Sequence, residues 1–200
     1  MVTYCSLADV KSAMNISDAV DDALLNGVIE SASRFIDGYC GRDFAAASGT
    51  ATRDYAPTGR YESLLIDDAT TIVSVKIDDD LDYSFGTTLV PGVDWQAEPL
   101  NGRAAGQSWP YTRLVPLEDG YWPLGKSHRA TVRVEATFGW PAVPQNVKQA
   151  AIIQSARLFS RYDSPLGVAG FGDMGIVRVS YKVDADVAML LDPYRKIEFT

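Results

Sequence analysis

The sequence predicts an α+β protein: a small α-helical bundle of two long helices plus short N- and C-terminal helices, with a large antiparallel β insertion between the long helices. Three observations predict it. Apolar residues recur at three- and four-residue spacing in 24–39 and again in 147–162, the signature of amphipathic helices. The intervening chain instead alternates with period two, most cleanly in Ala130–Phe138, as a half-buried strand does. Turn-rich stretches at 78–80, 90–92, 100–102 and 122–125 punctuate that middle part and suit hairpin connections. The predicted organisation is a helical core formed by residues 1–45 and 141–200, and a β-rich insertion domain over 46–140.

The elements follow in order. Ser6-Leu-Ala-Asp9 has capping-box spacing, with Asp where Glu or Gln is usual, and opens a helix to about Met14. Ser17-Asp18 reads as the cap of the first long helix, whose apolar stripe is Leu24, Leu25, Val28, Ala32, Phe35, Ile36 and Tyr39. Asp18, Asp21 and Asp22 suit the positive end of its dipole, and Gly41 suits the left-handed residue that ends it. Gly27 costs about 1 kcal/mol relative to Ala inside a helix, which a close helix crossing would offset. In the insertion, 64–66, 71–77 and 130–138 read as strands. Pro141 and Pro144 mark a boundary, after which Gln145 to about Tyr162 forms the second long helix with Val147, Ala151, Ile152, Ser155, Leu158, Phe159 and Tyr162 on one face. A strand over 176–182 and a short helix begun by Asp184 or Asp186 and closed by Asp192-Pro193 complete the chain. Beyond them lies an apolar-tipped tail, Tyr194 to Thr200.

Composition bounds the function. The chain has 200 residues, 18 Lys plus Arg and 26 Asp plus Glu, a net charge of −8. Divided at 45 and 140, the segments carry −4, −5 and +1, which sum to −8. Folding a chain of this mass buries about 70% of its surface, enough for one sizeable core or two small ones. A pI near 4.6 argues against a duplex-DNA binder, because neutralising phosphates needs a basic face. The N-terminus lacks the cationic and apolar regions of a signal peptide, and no run is long enough for a membrane span. Cys5 and Cys40 read as buried small residues of a protein that folds in a reducing cytoplasm, with a disulfide between them as the alternative. The four Trp, all in or beside the insertion, read as core-fillers, with an exposed aromatic contact surface as the alternative.

No catalytic, cofactor or metal site is predicted. Gly170-Phe-Gly172-Asp-Met-Gly175 matches G-x-G-x-x-G, but a helix precedes it and a strand follows, the reverse of a dinucleotide fingerprint. It reads as a mobile loop from Leu166 to Gly175. Asp78, Asp80 and Asp82 have calcium-loop spacing, yet Tyr83 stands where Gly is needed and Leu89 where the bidentate Glu belongs, so a solvated turn is expected. His128 is the one histidine, expected in solvent, and it leaves no multi-histidine zinc site. Carboxylates are plentiful, but nothing selects a glycosidase-like pair.

Several helical phrases carry a resemblance. Leu7-Ala-Asp-Val-Lys11, Asp21-Asp-Ala-Leu-Leu25 and Ile29 to Arg42, then Val143-Pro-Gln-Asn-Val-Lys-Gln-Ala-Ala151 and Asp186 to Arg195, resemble in order and spacing the head-to-tail connector (head-completion or adaptor) proteins of tailed bacteriophages. The β insertion of about 95 residues departs from the brief connection of small members. The resemblance implies a structural virion protein of the head-tail neck, assembled in the host cytoplasm. It would form a cyclic homo-oligomer, usually twelvefold, under the portal protein after packaging, with the tail or a second head-completion protein docking below. Double-stranded DNA would pass through without specific binding, past acidic side chains. The resemblance places the tail, with Tyr194, Arg195, Ile197 and Phe199, against the portal or the adjacent subunit. It places the loop with Leu166, Gly170, Phe171, Gly172 and Met174 toward the channel or the tail side. Removal of 194–200 is expected to leave a folded subunit that fails to attach. The competing readings are another tail-region structural protein, such as a terminator or baseplate module, and a carbohydrate-acting enzyme.

Overall fold

The computed structural model describes residues 2–45, 49–104, 107–118, 120–126, 129–162, 168–170, 176–178 and 183–196. The chain forms two compact units, one from 1–44 with 143–200 and one from 45–142.

The first unit is helical. Helix α1 (Leu7–Met14) begins with the full capping box: the Ser6 side chain accepts from the Asp9 backbone N–H, and Asp9 accepts from the Ser6 N–H. Helix α2 (Asp22–Cys40) starts later than its sequence suggests. Its N-cap position is Asp21, which makes no side-chain cap bond, while Asp18 accepts from Val20 N–H in the preceding turn. Lys11 reaches over from α1 to the Asp18 carbonyl and to Asp22 Oδ1 (2.6 Å), which ties this turn down. The buried face of α2 is Leu25, Ile29, Ala32, Ser33, Ile36 and Cys40, so the stripe is rotated from the expected one and Leu24, Val28, Phe35 and Tyr39 lie at its margin. Gly27 is exposed with open space around it, so no close crossing explains it. Gly41 ends α2 at φ 64°, a left-handed conformation that favours glycine.

Helix α3 (Gln145–Tyr162) buries Val147, Ala150, Ala151 and Ser155, and its last residue Tyr162 is exposed. Helix α4 (Ala185–Leu191) is capped by Asp184, whose carboxylate accepts from Asp186 N–H at 2.9 Å, and a 3-10 turn over Asp192–Tyr194 follows. α1 packs on α2 and α3, and α4 packs on α3 and α2. Cys5 and Cys40 are both buried and free; Cys5 Sγ lies 4.0 Å from Ser155 Oγ and Cys40 Sγ 4.0 Å from the Leu191 carbonyl.

The second unit is an antiparallel sheet of six strands: β1 (Ala51–Tyr55), β2 (Leu64–Ile77), β3 (Thr87–Leu89), β4 (Trp95–Glu98), β7 (Tyr111–Pro116) and β8 (Val132–Phe138). Two short hairpins, β5 (Arg103–Ala104) with β6 (Gln107–Ser108) and β9 (Val168–Gly170) with β10 (Ile176–Arg178), lie outside it, the second of them in the stretch of chain counted with the helical unit. The order β1-β8-β2-β7-β4 centres on β2, with β3 beside its C-terminal end. β2 merges the two strands predicted at 64–66 and 71–77. Register shifts at Ala69/Thr71 and Ile72/Ser74 turn Val73 outward while keeping Val75 and Ile77 inside, opposite Val134 and Val132 of β8. Leu64, Ile66, Leu114, Trp95 and Trp122 join them in the core. Trp140 is buried too, and Trp109 packs on it with ring centroids 5.2 Å apart. Core-filling therefore accounts for Trp95, Trp122 and Trp140. Gly120 is required by close approach, because a Cβ there would stand 1.7 Å from the Asp94 carbonyl oxygen.

Candidate interaction site

The described root of the tail is built from both ends of the helical unit. Tyr194 is buried at 3% exposure, edge-on to Phe44 with centroids 5.8 Å apart, and Phe44 is edge-on to Tyr4 at 5.7 Å. The Tyr4 hydroxyl meets the Asp37 carboxylate and lies 3.0 Å from Asp43 Oδ1, and it accepts from Phe44 N–H at 3.0 Å. Burial followed by the contact with Asp37 pushes the Tyr4 phenol far above its ordinary value, and burial raises Asp37 as well, although Arg34 Nε pairs with it at 3.2 Å.

Beyond that anchor the described chain runs on to Lys196 along the end of α2. Tyr39 donates to Asp192 Oδ1 at 2.6 Å, which raises the Tyr39 phenol, and the Arg195 guanidinium lies 5.1 Å from the Tyr39 ring centre. Lys196 N–H donates to the Cys40 carbonyl at 2.8 Å, filling one of the orphan acceptors at the end of α2. Burial pushes the Cys40 thiol up to about 11, so it stays a neutral thiol there.

The sequence therefore misplaces one residue. Tyr194, expected in an exposed tail, is a core residue of its own subunit, and a deletion from 194 would remove part of that core. Arg195 is exposed. Ile197 and Phe199 lie outside the described residues. So do Leu166, Phe171, Gly172 and Met174 of the glycine-rich loop, while Gly170 pairs with Ile176 in the β9–β10 hairpin. His128 also lies outside them.

A second site was hidden in the sequence. Asp78 is not solvated: it is fully buried and accepts from the backbone N–H groups of Asp82 (3.0 Å) and Tyr83 (3.1 Å) and from Arg129 (3.2 Å). Its own N–H donates to Thr131 O at 2.9 Å. Around it Leu81, Tyr83 and Phe85 adopt φ values of 57°, 73° and 48°, unusual for residues with a Cβ. Arg129 lies 4.0 Å over the Tyr83 ring and Arg133 3.9 Å over Phe85, so two cations clamp the turn. The half-exposed Tyr83 is thereby held at the surface by a buried carboxylate. The acidic run offered no sign of this, because local counting sees three solvated Asp and not Arg129, 51 positions on.

Among the described residues no three His, Cys, Asp or Glu side chains come together as a metal site, and no helix is long and apolar enough to cross a membrane. What the geometry does show is a helical unit closed by an aromatic anchor, and a sheet unit that presents a fixed loop.

Comparison with known proteins finds two kinds of likeness. Residues 4–77 match the family of phage gp6-like head-tail connector proteins. The likeness to head-to-tail connectors is thus shown, over α1, α2, β1 and β2. In fold the chain is similar to a chain in the neck of an empty gene transfer agent (GTA) particle computed with C6 symmetry, with TM-score 0.55 and 16% identity over 97% of this chain and 90% of that one. It is equally similar to a chain in the virion of a native GTA particle, again with TM-score 0.55 and 16% identity over 97% and 90%. No curated protein matches the sequence.

Proposed function

We propose that this chain is a structural, non-enzymatic connector of a phage-like virion: a ring under the portal, completed after DNA packaging, whose lower face receives the tail or a second head-completion protein. The observation that carries this reading is the connector-family match over residues 4–77. The fold likeness to particle-neck chains supports it, because that likeness extends over both the helical unit and the insertion. The ring is a cyclic, heterologous assembly of about twelve copies, the number the family resemblance implies, of which the sixfold symmetry used for the GTA neck is a divisor.

In that ring the tail beyond Lys196 contacts the portal or the adjacent subunit, and the glycine-rich loop around Gly170 faces the channel or the tail side. The charge of −8 takes a mechanical sense. Acidic side chains facing the channel keep phosphates from sticking, with repulsion fading over about 8 Å at physiological salt. Particles produced without this protein test the reading: DNA-filled heads without tails are expected, and normal tailed, infective particles would refute it.

A further inference from the structure

We infer that a pocket within the sheet unit binds a neutral saccharide unit, a function that stands apart from the ring reading and gives the insertion a ligand of its own. The pocket measures about 350 Å3, at the lower end of the range for small-molecule sites. Two segments build it, 99–102 after β4 and 108–111 leading into β7, and Thr70 of β2 and Pro141 complete the lining. The Trp109 backbone N–H donates to the Gly102 carbonyl at 2.6 Å. A Cβ at Gly102 would stand 2.8 Å from Pro99 Cγ and 3.3 Å from Trp109 Cβ, so glycine lets the two segments close on one another. Trp109 in turn packs on Trp140, which is buried and donates through Nε1 to Asp68 Oδ2 at 2.9 Å. The indole that lines the pocket is thus seated on a hydrogen-bonded core residue before any ligand arrives.

The lining selects the ligand. Charged residues make up 22% of the chain, yet among the described residues none that line this pocket is charged. A phosphate, a carboxylate or an ammonium group finds no counter-charge there, and no His, Cys, Asp or Glu is present in the lining to hold a metal. The lining is about as polar as it is apolar, which suits neither a lipid chain nor another hydrocarbon. Trp109 and Tyr111 bring aromatic rings, Asn101 brings an amide, and Thr70, Ser108 and Tyr111 bring hydroxyls. Thr70 Oγ1 donates to the Thr137 carbonyl at 3.1 Å, so toward a ligand it acts as an acceptor. A sugar ring has the matching surfaces: a face of C–H groups that lies on an aromatic ring, and hydroxyls at its edge that both donate and accept. A peptide strand fits less well because it is held by main-chain bonds, and here Pro99 and Pro141 have no N–H while that of Trp109 is already used.

Titration of the full-length protein tests this, with maltose, cellobiose, lactose and chitobiose as probes, followed by saturation-transfer NMR of the sugar and by tryptophan fluorescence. Inorganic phosphate and a polyproline peptide serve as comparison probes, and retention on amylose, cellulose and chitin beads reports a unit carried on a longer glycan. Saturable binding of at least one free sugar, or retention on one kind of bead, is expected. Asn101→Ala and Tyr111→Phe, which leave Trp109 in place, should each weaken that binding about tenfold while the urea midpoint stays unchanged. Trp109→Ala should abolish it. The inference is overturned if no free sugar binds and no bead retains the protein. It is equally overturned by sugar binding that Asn101→Ala and Tyr111→Phe both leave intact, and by a pocket that takes the polyproline peptide or phosphate in preference to every sugar.

Discussion

The two units solve the problem of an end that must be held in different ways. The helical unit joins its sequence extremes through edge-on aromatic contacts among Tyr4, Phe44 and Tyr194, and a backbone bond from Lys196 to Cys40 holds the chain that follows. The sheet unit holds its prominent loop with a buried carboxylate, Asp78, whose partners are backbone amides and one arginine. Edge-on aromatic contacts tolerate small shifts, because their energy comes mostly from buried area. A buried carboxylate does not, since each amide left without it is a desolvated donor. The helical unit thus closes on buried aromatic area, and the sheet unit on a buried carboxylate.

The contrast can be broken most severely in the sheet. Trp122 is 1% exposed, and its Nε1–H donates to the Glu62 carbonyl at 2.8 Å. Trp122→Ala should cost about 3–5 kcal/mol, read as a lowered urea midpoint by far-UV circular dichroism. Asp78→Ala comes next at about 2–3 kcal/mol, since it strands the Asp82 and Tyr83 amides and Arg129. It should also give the segment around Tyr83 fast hydrogen exchange while the helices stay protected.

Tyr4→Phe should cost about 1–2 kcal/mol, because the edge-on ring contact remains and only the hydroxyl's bonds are lost. pH sharpens this test. Burial raises Asp37 in the folded state, so the helical unit is relatively more stable below the ordinary carboxylate value and loses that advantage as pH rises through the raised one. Asp37→Asn should flatten that part of the profile. Asp9 behaves oppositely: its bonds with Ser6 lower it to about 2, so its contribution is complete above the ordinary value and fades as pH falls toward about 2. Ser6→Ala, the smallest effect, should cost about 1 kcal/mol through the lost cap.

Legibility in the sequence followed the range of the interactions. The Ser6–Asp9 capping box, Gly41 and the start of α3 after Pro144 could be read because each depends on neighbours within a few positions. Strand β1 could not, because Ala51–Tyr55 is an edge strand, largely exposed and without apolar alternation. Ser17-Asp18 has the residue types of a helix cap, yet α2 starts at Asp22, because Lys11 of another helix holds that turn. Tyr194 looked like tail because its partner Phe44 is 150 positions away, and Asp78 looked solvated for the same kind of reason.

The central claim is that this chain closes a ring on a portal. Negative-stain imaging of the purified protein with and without the portal of its own particle tests that most directly. The account predicts rings of a single diameter seated on the portal, formed when portal is present. Stacked tubes without portal, or portals that stay bare at saturating protein, would contradict it.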